Sequence, residues 1–166
     1  MTNEHMCLTQ FAKLLCKAPD AYAEIIGSQS HACLSGKIKL YQTRCGALIA
    51  AEITGLPSDS QRCSSNIFGF HFHEGEVCSG TKADPFADAK LHFNPERCEH
   101  PHHAGDLPPL FGNNGYALSI FLTDRFTVSE VVGKAIIIHS APDDFATQPG
   151  GNSGEKIACG IVKKAY

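Results

Sequence analysis

Phe68-Gly69-Phe70-His71-Phe72-His73-Glu74 alternates aromatic residues with glycine and histidine. In a strand, successive side chains point to opposite faces. Phe68, Phe70 and Phe72 then share one face, fit for a core. Gly69, His71 and His73 share the other. Two imidazoles two residues apart on a strand can meet one metal ion. The plainer alternative is a half-exposed polar face with two hydrogen-bonded histidines.

Strand signals continue on both sides of this stretch. Upstream, residues 21–26 form a first candidate. Residues 34–43 follow, with Ile38 and Leu40 alternating against Lys37 and Lys39. Arg44-Cys45-Gly46 is a tight hairpin turn from which 47–54 returns, and Gly55-Leu56-Pro57 ends that strand. Residues 66–74 make the fourth strand. Downstream, residues 116–122, 134–139 and 156–162 resume strand character. Residues 75–115 between them are irregular and rich in Gly, Pro, His and Asp, and so long a stretch in a compact domain is usually functional. The pattern predicts an all-β sandwich or Greek-key barrel. Before it, Leu8, Phe11, Leu14 and Leu15 recur at helical spacing over residues 6–17, and Pro19 would stop that helix. The expected organisation is a helical appendage over 1–19 and one β domain over 20–166.

The chain of 166 residues is 43% hydrophobic and 19% charged, which fits one globular core. A net charge of −3 provides no basic patch for nucleic acid and no polybasic membrane stripe. No apolar run reaches the length of a membrane span. Met1-Thr2-Asn3-Glu4-His5 lacks the basic start of a secretory signal, so the expected location is cytoplasmic. There, most of the eight cysteines should be free thiols, and their spacing contains no C-x-x-C pair.

The irregular stretch holds a second cluster. His92-Phe93-Asn94-Pro95 is followed by Cys98-Glu99-His100-Pro101-His102-His103-Ala104-Gly105-Asp106. Three imidazoles and a carboxylate make a tetrahedral zinc set. His102 and His103 are adjacent and point apart in an extended chain, so one ion would not take both. His100 and His103 flank Pro101 and could converge. A solvated histidine-rich loop is the alternative. A third element, Ile136-Ile137-Ile138-His139, ends an apolar strand in histidine. Asp143 or Asp144 beyond it could orient a ligand histidine, or could form an ordinary acidic turn.

In chain order, Gly69-Phe70-His71-Phe72-His73-Glu74, His92-Phe93-Asn94-Pro95, His103-Ala104-Gly105-Asp106-Leu107, the strand-end His139 and Gly154-Glu155-Lys156-Ile157-Ala158-Cys159-Gly160 resemble the copper/zinc superoxide dismutase family. Asp106-Leu107-Pro108-Pro109-Leu110 looks like its bacterial branch. The resemblance implies an eight-stranded Greek-key β-barrel with long metal-binding loops. It implies dismutation of superoxide to dioxygen and hydrogen peroxide at copper, bridged to zinc by an imidazolate. His71, His73, His92 and His139 would hold copper; His92, His100, His103 and Asp106 would hold zinc. Asp143 would link ligands of the two metals, and Cys78 and Cys159 would form a disulfide. The other six cysteines would be buried free thiols. A homodimer is one of the family's assemblies.

Three positions depart from the family pattern. Its active-site arginine is Lys156 here, which keeps a positive charge to steer superoxide but loses the planar fork. Its glycine two residues before the bridging histidine is Lys90, whose side chain would crowd the site or add charge to the channel. The zinc loop is short, which leaves His102 as competitor to His100. Two other readings follow: a zinc-binding protein of the same fold that does not use copper, and a metal-storage module. The second does not account for histidines at strand positions.

Overall fold

A computed structural model describes residues 7–59 and 66–165 of the chain. Cys63 and residues 1–6 of the expected appendage lie outside them. Helix α1 (Leu8–Leu15) precedes β1 (Ala21–Gly27), β2 (Ser35–Thr43) and β3 (Gly46–Thr54). Then come β4 (Ile67–Phe68), β5 (Phe70–His73), β6 (Leu110–Phe111) and β7 (Tyr116–Thr123). Helix α2 (Val128–Val131), β8 (Ala135–His139), β9 (Lys156–Ile161) and β10 (Lys163–Lys164) complete the chain.

The main sheet runs β5-β8-β9-β1-β2-β3-β7, with β10 beside β1, and every pairing is antiparallel. From β3 the chain crosses to the far edge at β5, returns to β7 beside β3, and crosses again to β8. These crossovers are the Greek key. β4 leads into β5, β6 precedes β7, and β4 pairs with β6. That pairing draws the two edges of the curled sheet together. Inside the curl, Ile25, Ile38, Leu40, Ile49, Ile53, Phe70, Phe72, Ile136 and Ile138 are fully buried. The alternation expected of Phe68, Phe70 and Phe72 places all three in this core.

The fourth strand is not continuous. It divides at Gly69, where pairing passes from β6 to the β8 side: Gly69 N donates to Ala141 O (2.8 Å), and His139 N donates to Gly69 O (2.8 Å). The opposite face of β5 is not half-exposed either, because His71 and His73 are also buried. Loop segments cover that edge, with Phe72 N donating to Gly105 O (2.9 Å) and Phe93 N donating to Phe72 O (2.8 Å). Only glycine fits at 105, where a Cβ would lie 2.4 Å from Phe72 O. The stretch after β5 is thus irregular but pinned.

One expectation needs correction. The free thiols are not buried: Cys7, Cys16, Cys33 and Cys98 are exposed and Cys45 is half-buried. Helix α1 buries no residue, and Leu8 is 84% exposed. A short helix α2, unforeseen, starts at Thr127-Val128-Ser129-Glu130, where Thr127 N donates to Glu130 Oε2 (2.7 Å). No helix among the described residues is long and apolar enough to cross a membrane.

Candidate metal centre

Strand register brings the first donors together. His71 and His73 on β5 pair with Ile137 and Ala135 of β8, while His139 ends β8 where the register shifts. His73 Nε2 faces His139 Nε2 at 3.4 Å. The ring of His92 lies 4.0 Å from that of His71, centroid to centroid. Donor atoms of His71, His73, His92 and His139 all fall within 4.8 Å of one another.

A second group meets the same criterion: His92, His100, His103 and Asp106. His92 belongs to both groups. Its Nδ1 lies 2.7 Å from Asp106 Oδ1, which leaves Nε2 for the strand side. His100 is buried and His102 is exposed. The spacing had left that choice open; the turn at Pro101 sends His102 outward.

Asp143 ties the groups together. Its carboxylate accepts from His71 Nε2 (2.7 Å) and from His100 Nε2 (2.9 Å), one donor from each group. Phe145 N donates to it as well (2.7 Å). Burial opposes its ionisation, but these hydrogen bonds hold its carboxyl well below the usual carboxylate range. Asp106 is likewise held low, against burial, by His92. Asp144 instead takes the N–H groups of Ala146 and Thr147 in a local turn.

His71, His73 and His139 are held as neutral donors. Burial lowers His71 and His73, the latter strongly, and burial with the neighbouring His71 and His92 pushes His139 down to about 3. Each is aimed by its other nitrogen: His73 Nδ1 donates to Lys90 O (2.9 Å), and His139 Nδ1 approaches Gly154 O (3.4 Å). His71 Nδ1, His100 Nδ1 and His103 Nδ1 are buried without a hydrogen-bond partner. His100 Nδ1 and His103 Nδ1 stand 3.1 and 3.4 Å from Asp106 oxygens, outside hydrogen-bonding direction. Unpartnered buried nitrogens are costly, and a cation in each group would satisfy them. The donor sets therefore fit the two metals expected: four imidazoles suit copper, and three imidazoles with a carboxylate suit zinc.

A family model described as copper/zinc superoxide dismutase matches residues 34–162. The chain belongs to the copper/zinc superoxide dismutase family. Superoxide dismutase (Cu-Zn) 2 of Aquifex aeolicus is 34% identical, over 86% of this chain and 86% of its own. Superoxide dismutase (Cu-Zn) 1 of the same organism is 31% identical, over 95% and 96%. The copper/zinc superoxide dismutase from Brucella abortus superposes with a TM-score of 0.69 at 20% identity, over 85% of this chain and 98% of that one, a likeness of fold.

Within this dismutase fold, Cys78 and Cys159 form a disulfide with a Cα separation of 5.7 Å. It ties the loop after β5 to β9. Lys156 lines a cleft with His73, His92 and His139, and its Nζ lies 2.6 Å from Asp84 Oδ2. Lys90 lines the same cleft with its side chain exposed. Three residues of the dismutase site escaped the sequence reading. Arg125 Nη1 donates to the carbonyls of Pro101, His103 and Asp106 (3.0, 3.2 and 3.3 Å) and gathers the zinc-side loop. Gln148 clasps His100 in both directions, accepting from its N (3.0 Å) and donating to its O (2.7 Å). Asp84 holds Lys156. Such contacts leave no spacing signal.

Proposed function

We propose that this protein dismutes superoxide, with His71, His73, His92 and His139 holding copper and His92, His100, His103 and Asp106 holding zinc. One superoxide gives up an electron and leaves as dioxygen. A second gains an electron and two protons and leaves as hydrogen peroxide. Copper supplies the one-electron couple when bound, and zinc supplies a second cation across the ring of His92. The chain's own residues do the rest. Asp143 aims His71 and His100, as outer carboxylates do at metal sites. His92 Nε2 would hold and release one of the two protons that peroxide formation consumes. Lys156 and Lys90 put positive charge at the cleft, which favours an anion.

The observation that carries the reading is the membership of His92 in both donor groups. Its test is metal analysis with a superoxide-decay assay on protein loaded with copper and zinc. One copper and one zinc with fast decay is expected; zinc alone, with no decay after copper loading, contradicts it. That second outcome belongs to the zinc-binding reading, which one observation favours: the Lys156 amine is engaged by Asp84.

Two further points belong to the proposal. A homodimer is supported by the outward face of β7, which exposes Tyr116, Leu118, Ile120 and Leu122 in a row; light scattering checks it, a single-chain mass contradicting it. A reducing compartment such as the cytoplasm is supported by the free thiols at Cys7, Cys16, Cys33, Cys45 and Cys98; cell fractionation checks it.

A further inference from the structure

We infer that Lys90, more than Lys156, is the cation that draws the anionic substrate into the cleft. This rests on the superoxide reading above. Both lysines line the cleft with His73, His92 and His139. Their electrostatic situations differ. The Lys156 amine sits 2.6 Å from Asp84 Oδ2 with its side chain 16% exposed. A cation paired that closely presents a dipole, whose attraction fades faster with distance than that of a lone charge. Among the described residues the Lys90 amine has no ion-pair partner, and its side chain is exposed. An unpaired charge at the mouth acts out to about a Debye length, ~8 Å at physiological salt.

The backbone makes the choice of lysine informative. Residue 90 has φ 64° and ψ −146°, a conformation that side chains rarely adopt and glycine adopts freely. The site needs that conformation: Lys90 N donates to Ala87 O (3.0 Å) while Lys90 O accepts from His73 Nδ1 (2.9 Å). Glycine would meet the backbone requirement at less cost. The lysine side chain is exposed, so its charge is what it contributes.

Azide, a small univalent anion, serves as the probe. It is titrated into protein loaded with copper and zinc and followed by visible absorption, beside kcat/KM for superoxide decay at low and high salt. Lys90→Gln should weaken azide binding and lower kcat/KM about 3–10-fold at low salt, with a difference that shrinks as salt is added. Lys156→Gln should lower both less than about twofold, and Asp84→Asn, which frees Lys156, should raise both. Lys39→Gln, on β2 outside the cleft, should change neither. Lys90→Gly should lose azide affinity like Lys90→Gln, yet raise the Tm of the metal-free protein by about 2–4 °C through relief of the backbone. Azide affinity unchanged in Lys90→Gln, a larger loss in Lys156→Gln, or a lower Tm in Lys90→Gly overturns the inference. Failure of the superoxide reading looks different: the parent protein takes up copper and shows no decay, while its azide affinity still responds to Lys90.

Discussion

The two donor groups are built by different means. His71, His73 and His139 stand on β5 and β8, so backbone pairing fixes their spacing and Phe70, Phe72 and Ile138 press them from the core side. His100, His103 and Asp106 stand on a loop with no strand of its own. Beyond the backbone bond from Phe72 N to Gly105 O, their positions come from side-chain bonds: Asp143 to His100, Gln148 around His100, and Arg125 to three carbonyls. A sheet places a ligand as a by-product of folding. A loop must be told where each ligand goes, contact by contact. The strand-borne group should therefore fail with the core, and the loop-borne group should fail one polar contact at a time.

The largest expected effect is on the core. Phe72 lies between the two strand histidines, fully buried, with its ring 5.1 Å from that of Phe126. Phe72→Ala should cost about 3–5 kcal/mol in denaturant unfolding and loosen copper with it. Unfolding unchanged, with copper lost, would break the link between core and strand group. Next, His139→Ala should lower copper affinity and superoxide decay more than about 100-fold while zinc stays bound. Equal loss of zinc in metal analysis would mean that the groups are not separable.

Acid should strike the strand group first. His139 is held at about 3 against an ordinary 6.5, and His73 is lowered too. Below 6.5 the unfolded chain takes up protons that the fold refuses, so stability is full above that pH and falls as pH drops toward 3. His139 alone should remove about 2–3 kcal/mol between pH 6.5 and about pH 4.5 in the metal-free protein. Asp143 and Asp106 are held below the ordinary 3.8, so their contribution stays whole until the pH falls below that value. A melting temperature flat across this window would contradict the neutral, buried state of the strand histidines.

Smaller effects sharpen the loop side. Arg125→Ala should weaken zinc about tenfold, by competition with a chelator, and leave copper affinity alone. A matching loss of copper would show that Arg125 supports the whole site. Smallest of all, removing residues 1–19 should change stability by less than about 1 kcal/mol, since no residue of α1 is fully buried and the bond from Tyr41 Oη to Leu15 O is long, at 3.4 Å. A larger cost would make the helix part of the domain.

The same division governs what could be read in advance. Period-two alternation exposes Phe70, His71, Phe72 and His73 directly, because register and face are properties of local sequence. The loop ligands were visible as a cluster, but His100 and His102 differ only in how the chain turns at Pro101, which spacing does not encode. Arg125 and Gln148 act on backbone atoms that every residue carries, so nothing in composition marks them. Asp84 meets Lys156 across 72 residues and only through the fold. The break at Gly69 and the helix at Val128–Val131 are different: a glycine within a strand and a capping box were both legible signals.

In the function proposed above, the ring of His92 joins a strand-built copper group to a loop-built zinc group. Crystals of protein loaded with both metals, with diffraction recorded at each metal's absorption edge, test it most directly. Copper should lie among His71, His73 and His139, zinc among His100, His103 and Asp106, with oxidised-state density from the ring of His92 to both ions. A single ion, or a His92 ring bound on one side alone, would contradict it.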